Sequence, residues 1–94
     1  MRVKLIISPL AKKKYRVIFE NGKKIDFGAK GYEDYTTSKD PIKQKNYLAR
    51  HYKRENWLDP YTAGFWAKWL LWSRPDINDA ISDIKKIFNI EIYA

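Results

Sequence analysis

The residues of this sequence that could do chemistry are mainly cations, and their spacing favours phosphate binding. Lys12, Lys13 and Lys14 form a run that we place on a loop. A second group recurs at positions i, i+7 and i+11 of a predicted helix, which puts its members in one row: Lys43, Arg50 and Arg54, with Tyr47 on the same arc. Loops and helices can both present cations to a phosphate backbone, provided that the cations share one face.

Three further residues complete the candidate nucleic-acid-binding set: Arg16, Lys30 and Trp57. Arg16 and Lys30 lie around a predicted hairpin. Trp57 falls between two predicted helices and is the tryptophan that we expect to be partly exposed. The segment Gly28–Gly31 could also direct backbone N–H groups at a phosphate. It matches neither a Walker loop nor a dinucleotide-binding motif, so a flexible connection is the simpler interpretation.

The net charge of +8 is concentrated in the first two thirds of the chain. Residues 1–30 carry +7, residues 31–58 carry +2 and residues 59–94 carry −1. Such a polarised field attracts polyanions, nucleic acid ahead of an anionic membrane. The alternative is that the charge only keeps the protein in solution.

Catalytic and metal-binding chemistry finds little support in the residue types. The chain has no cysteine, which excludes a thiolate metal site, a disulfide and a cysteine nucleophile. His51 is the only histidine, and a metal site usually takes more nitrogen or sulfur ligands than one histidine supplies. We therefore expect no metal, no cofactor and no enzymatic activity. The alternative that we keep is a metal-dependent nuclease built from His51, Glu55 and Asp40.

The N-terminal half contains three segments with the apolar alternation of strands: Arg2–Ile7, Tyr15–Glu20 and Lys23–Phe27. A three-residue loop, with Gly22 left-handed, pairs Val17 with Ile25 and gives the hairpin one apolar face. A two-residue loop would mix apolar and charged residues on that face, so we predict the longer one. The segment Ile90–Tyr93 also alternates and could add an edge strand.

Three helices are indicated by Asp-Pro and Asp or Asn start signals: Pro41 to about Arg54, Tyr61–Trp72, and a third after Asp76 or Asn78. In the first helix one arc carries Ile42, Leu48 and Tyr52, and the cationic row occupies another. The third helix is amphipathic, with isoleucines and a phenylalanine at helical spacing.

Three tryptophans and a phenylalanine lie in FWAKWLLW, residues 65–72. On a helix these rings cover an apolar arc wider than the stripe of a surface helix. A stacking platform for bases would need rings exposed among cations, and this segment offers only Lys68. We therefore predict that these tryptophans form core.

Residues 27–81 resemble a small family of uncharacterised proteins encoded by nucleocytoplasmic large DNA viruses of algae and amoebae. Three segments carry the resemblance: Tyr32 to Asp40 in the pattern YxDYT…KD, Tyr47 to Pro60 in YLxRH…RENW.DP, and Thr62 to Pro75 in TAGFW…WLLW..P. In that family a histidine often precedes the KD pair, where this chain has Ser38. The resemblance implies a viral origin and a setting in the infected cell or the virion, and it assigns no activity.

Together these observations predict one α+β domain over residues 1–94, with a three-stranded antiparallel sheet packed against two or three helices. We expect sequence-independent binding of nucleic acid, duplex DNA ahead of RNA, through phosphate contacts. The alternative is a structural or protein-interaction component of a large DNA virus that does not bind nucleic acid. With either function the protein could be a homo-oligomer. No signal peptide or membrane span is predicted, so we expect an intracellular protein that is not secreted.

Overall fold

The sheet of the computed structural model, which describes residues 1–94, has four strands. They are β1 (Arg2–Ile7), β2 (Lys13–Phe19), β3 (Lys24–Ala29) and β4 (Glu91–Tyr93), in the spatial order β3-β2-β1-β4. The three N-terminal strands are antiparallel, and β4 lies parallel to β1 with Val3 opposite Ile92. The α+β class is therefore confirmed. The edge strand that Ile90–Tyr93 could add is present as β4, and it makes the sheet four-stranded and mixed.

The hairpin has the predicted register. Val17 faces Ile25 and Tyr15 faces Phe27 across β2 and β3. Gly22 has a φ of +90°, and its N–H donates to the carbonyl of Phe19 at 2.9 Å, which closes the three-residue loop. A slip by one residue would have moved the apolar side chains of β2 to the opposite face of the sheet.

Four helices lie between β3 and β4 in the chain: α1 (Tyr35–Ser38), α2 (Pro41–His51), α3 (Ala63–Trp66) and α4 (Ile77–Phe88). A π-helical segment, Ala67–Trp72, continues α3 directly. The predicted caps Asp40 and Asp76 accept hydrogen bonds from the first amides of α2 and α4. None of these helices has both the length and the apolar composition that a membrane crossing requires.

The core lies between one face of the sheet and the helices that cover it. It contains twelve buried apolar residues: Val3, Val17, Phe19, Ile25, Phe27, Phe65, Trp66, Leu70, Leu71, Ala80, Ile84 and Ile90. Trp66 is fully buried, and its indole N–H donates to the carbonyl of Pro60 at 2.7 Å. Trp69 and Trp72 are half-buried against this core. The tryptophans of residues 65–72 are therefore mainly structural.

Helix α2 docks differently from the two arcs that its sequence suggests. Ile42 is 70% exposed, and the inward side carries Gln44, Tyr47 and Leu48. The Gln44 side-chain amide donates to the carbonyl of Ser73 at 3.1 Å, which ties α2 to the end of the π-helical segment. Periodicity alone misassigns this face because α2 has no fully buried residue and only partial contact with the core.

Candidate functional site

A cleft of about 610 Å³ opens between α2, the adjoining ends of β2 and β3, and α3 with its π-helical continuation. Five of its lining residues are small: Gly28, Ala29, Ala63, Gly64 and Ala67. Gly28 has a φ of +78°, and a Cβ there would lie 2.9 Å from Leu71 Cδ1. The close approach of β3 to the π-helical segment therefore depends on glycine at this position.

One wall of the cleft is a stack of three rings. The rings of Trp72 and Tyr47 lie 4.3 Å apart and 4° from parallel, and the imidazole of His51 lies 4.1 Å beyond Tyr47. Burial, aided by the charge of Glu55, raises the pKa of the Tyr47 hydroxyl well above its ordinary value. Tyr47 thus stays protonated and can donate a hydrogen bond into the cleft, although the sequence had grouped it with the cationic row.

Two of the predicted phosphate-binding lysines are engaged by carboxylates at the cleft. Lys14 Nζ donates to Asp34 at 2.5 Å, and Asp34 is only 3% exposed. Lys43 Nζ donates to Glu33 at 2.5 Å in an exposed pair, and this hydrogen bond raises the pKa of Lys43. Both lysines line the cleft, but each is already partly neutralised.

Four other cations form no ion pair with a carboxylate, although the charge of Lys13 helps to lower the pKa of Asp26: Lys12, Lys13, Lys30 and Arg50. We call them the basic rim. Lys13 and Arg50 line the cleft. The Lys30 N–H donates to the Lys12 carbonyl at 3.0 Å, so these two residues are neighbours at the end of the hairpin, next to Lys13. Cations from three separate segments of the sequence are thus brought together.

The remaining three predicted residues do not line the cleft. Arg54 follows the end of α2, and its guanidinium donates to the carbonyl of Arg50 at 3.4 Å. The Trp57 indole N–H donates to Glu55 at 2.9 Å, outside the cleft lining. Arg16 points to the uncovered face of the sheet, where it binds Asp26 through two hydrogen bonds. A paired arginine of this kind is less available to a phosphate.

The Asp26 network should make stability depend on acid pH. The Arg16 guanidinium and then the Ser8 hydroxyl hold the pKa of Asp26 below its ordinary value of 3.8. A lowered folded-state pKa stabilises the protein above the unfolded-state pKa, and the contribution disappears as pH falls through the folded value. We expect Asp26→Asn to cost about 1–3 kcal/mol of unfolding free energy at pH 7.

Urea unfolding of both proteins at several pH values between neutrality and about pH 2 checks this effect. The difference between wild type and Asp26→Asn should shrink as Asp26 becomes protonated. A difference that stayed constant over this range would contradict the assignment.

The predicted nucleic-acid-binding set omits several residues that line the cleft: Tyr32, Glu33, Asp34, and the His51 and Glu55 of the nuclease alternative. Asp34 caps α1 and forms a capping box with Thr37, and this short-range signal was present in the sequence. Tyr32 is 74% exposed, and nothing in its local pattern distinguishes it from an ordinary loop tyrosine.

His51 is oriented by Glu55, whose Oε2 lies 3.1 Å from His51 Nδ1. The carboxylate can only accept, so Nδ1 carries the proton and Nε2 is left to other partners. Asp40 caps the opposite end of the eleven-residue α2, about 16 Å from His51 by helical rise. No three His, Cys, Asp or Glu side chains are grouped as a metal site would need. Of the residues of the nuclease alternative, His51 and Glu55 are therefore in contact and Asp40 lies apart from them.

Comparison with known proteins gives one result that bears on identity. No curated protein and no solved structure matches the chain. The sequence model of one family matches residues 3–51, just over half of the chain. The matched region contains β1, β2, β3, α1 and α2, and with them the whole basic rim. On this match the chain belongs to a family of proteins of unknown function, DUF5754.

Proposed function

We propose that this protein binds nucleic acid by contacting the phosphates of the nucleic-acid backbone, with duplex DNA as the main target. The observation that carries the proposal is the basic rim, whose four cations come from three separated segments. Lys13 and Arg50 line one cleft, Lys12 and Lys30 are backbone neighbours next to Lys13, and none of the four forms an ion pair. Unpaired cations on one side of a protein are what counterion release from a phosphate backbone requires.

The composition of the rim favours binding without base recognition. Three of its four members are lysines, which act as point charges toward phosphate and lack the planar fork with which arginine reads guanine. The net charge of +8 adds long-range attraction that guides a polyanion toward the surface. Two of the three acidic residues at the cleft, Asp34 and Glu33, are paired with Lys14 and Lys43, so they oppose the rim only weakly.

The setting that we propose is a large DNA virus of algae or amoebae. Its support is the sequence resemblance of residues 27–81. A small basic protein in such a virus could coat the genome in the virion or act in the virus factory of the infected cell.

Binding of a labelled random-sequence duplex, followed by fluorescence anisotropy, tests the proposal. If about four phosphates are neutralised, affinity should fall roughly 100-fold between about 50 and about 200 mM salt. Lys13→Gln/Arg50→Gln should weaken binding at least about tenfold and reduce the salt slope by about two units.

The matched control is Lys45→Gln/Lys86→Gln, which removes the same charge from exposed positions outside the cleft. It should weaken binding by a smaller factor. Equal loss in both double variants would contradict a localised rim. Absence of binding at low salt would leave the net charge as an aid to solubility and favour the protein-interaction alternative.

A further inference from the structure

We propose that the cleft binds one unstacked nucleotide unit, with its phosphate on the basic rim and its nucleoside inside. The ligand chemistry is a nucleoside monophosphate, either free or as a unit of a single strand. This proposal rests on the proposed function in one respect: the same rim cations, Lys13 and Arg50, hold the phosphate. It adds a site for the base and sugar that phosphate binding alone does not need.

The size of the cleft suits such a unit. Its volume of about 610 Å³ falls within the ~300–1,000 Å³ typical of small-molecule sites. Helix α2 bounds one side and β3 with α3 the other, so a base pair within a duplex cannot enter without leaving its stack. A nucleotide in a single strand has no paired base to leave, so it enters the cleft at a lower cost.

The charges at the cleft match a monophosphate better than a polyphosphate. Four cations line it, namely Lys13, Lys14, Lys43 and Arg50. Three carboxylates also line it, namely Glu33, Asp34 and Glu55. With His51 neutral, the residues that line the cleft carry an excess of one positive charge. Lys13 and Arg50 are the two cations of the lining that form no ion pair.

The non-charged groups at the cleft suit a nucleoside. Tyr32 presents an exposed ring at the cleft lining, beside Glu33 and close in sequence to the buried Asp34. Such a ring can stack on any base, whatever its identity. The Asn46 amide, the Tyr47 hydroxyl and His51 Nε2 supply hydrogen-bonding groups for sugar hydroxyls and base edges.

Glycine at position 64 also keeps the cleft in its present shape. A Cβ there would lie 2.7 Å from Glu55 Cδ, so Glu55 packs directly over the backbone of α3. In this position its two carboxylate oxygens engage His51 and the Trp57 indole. The imidazole is therefore held at the cleft wall before any ligand arrives, which lowers the entropy cost of binding.

Isothermal titration calorimetry of the full chain tests the site with four probes: a nucleoside 5′-monophosphate, the matching nucleoside, inorganic phosphate and a short single strand. The monophosphate should bind at least about tenfold more tightly than the nucleoside or phosphate alone. Tyr32→Ala should weaken the monophosphate about tenfold and leave inorganic phosphate unchanged. The control is Tyr52→Ala, a second exposed tyrosine that does not line the cleft.

Competition separates the two sources of the ligand. A duplex also engages Lys13 and Arg50, so it can displace the monophosphate without entering the cleft. A single strand that displaces the monophosphate and loses affinity in Tyr32→Ala, while duplex affinity is unchanged, assigns the cleft to a strand unit. A monophosphate that is weakened by Tyr32→Ala, while single-strand affinity is unchanged, assigns it to a free nucleotide. If the monophosphate binds no better than inorganic phosphate while duplex binding persists in anisotropy, the cleft proposal fails and the phosphate-binding function stands. If neither the monophosphate nor the duplex binds, both the cleft proposal and the phosphate-binding function fail.

Discussion

Trp66→Ala should lower the free energy of unfolding by about 3–5 kcal/mol, the range for removing a large buried aromatic side chain. Trp66 is fully buried, and its ring packs against Phe19, Phe27 and Phe65, with centroids between 5.0 and 6.4 Å away. The substitution leaves a cavity between sheet and helices. It also leaves the Pro60 carbonyl without its indole donor.

Chemical denaturation followed by circular dichroism measures this loss, which is a large share of the ~5–14 kcal/mol expected for a domain of this size. Trp66→Phe retains a ring and should lower the free energy of unfolding by less than Trp66→Ala does. If the alanine variant fails to fold, the phenylalanine variant should still fold and can be measured in its place. Trp57→Ala is the comparison at a half-buried tryptophan, with an expected cost of about 1 kcal/mol. Equal losses at positions 57 and 66 would contradict a core centred on Trp66.

The features that the sequence predicted well are encoded by short-range patterns. The hairpin register follows from keeping Val17 and Ile25 on the same face, and only one loop length allows this. The caps Asp40 and Asp76 satisfy amides two residues further along the chain, so a window of a few residues contains the whole signal. The wide apolar arc of residues 65–72 likewise indicated burial without any knowledge of the partner surface.

The features that sequence reasoning missed depend on contacts between distant segments. Strand β4 pairs with β1 and places Ile92 opposite Val3. A strand of only three residues gives little local evidence that its partner runs parallel to it. The docking of α2 is set by Tyr47 on Trp72 and by Gln44 on Ser73, contacts that span 25 and 29 residues. The cleft exists only because of this docking, so its lining could not be read from the sequence.

The same dependence explains which candidate residues came together. Lys12, Lys13 and Lys30 meet because the hairpin register, which was predictable, places their strands side by side. Arg50 joins them only through the orientation of α2. Arg16 alternates with inward residues of β2 and therefore had to face away, and strand periodicity alone could have removed it from the candidate set.

Asp34→Ala should destabilise the protein by about 3 kcal/mol or more and disorder the loop that carries Tyr32 and Glu33. The Asp34 carboxylate accepts from Lys14 Nζ at 2.5 Å and from the Thr36 amide at 2.9 Å, and it is almost completely buried. Removing it leaves the half-buried Lys14 ammonium without a partner and α1 without its cap. Breaking one side of a buried pair costs more than the pair itself contributes.

A matched control separates the cap from the ion pair. Asp76→Ala removes an exposed cap from α4 that has no ion-pair partner, and should cost about 1 kcal/mol. The excess loss in Asp34→Ala over Asp76→Ala, measured by urea unfolding, is then due to Lys14. Lys14→Met in the Asp34→Ala background should recover part of that excess, because the buried charge is gone.

If Asp34→Ala cost no more than Asp76→Ala, the Lys14 pair would not be what fixes this loop against the sheet. The position of Tyr32 at the cleft would then need another cause. The stability measurement therefore also bears on the nucleotide site. A stable Asp34→Ala variant with unchanged nucleotide affinity would show that Tyr32 is placed independently of Asp34. A less stable variant with weakened affinity would show that the ion pair organises the cleft.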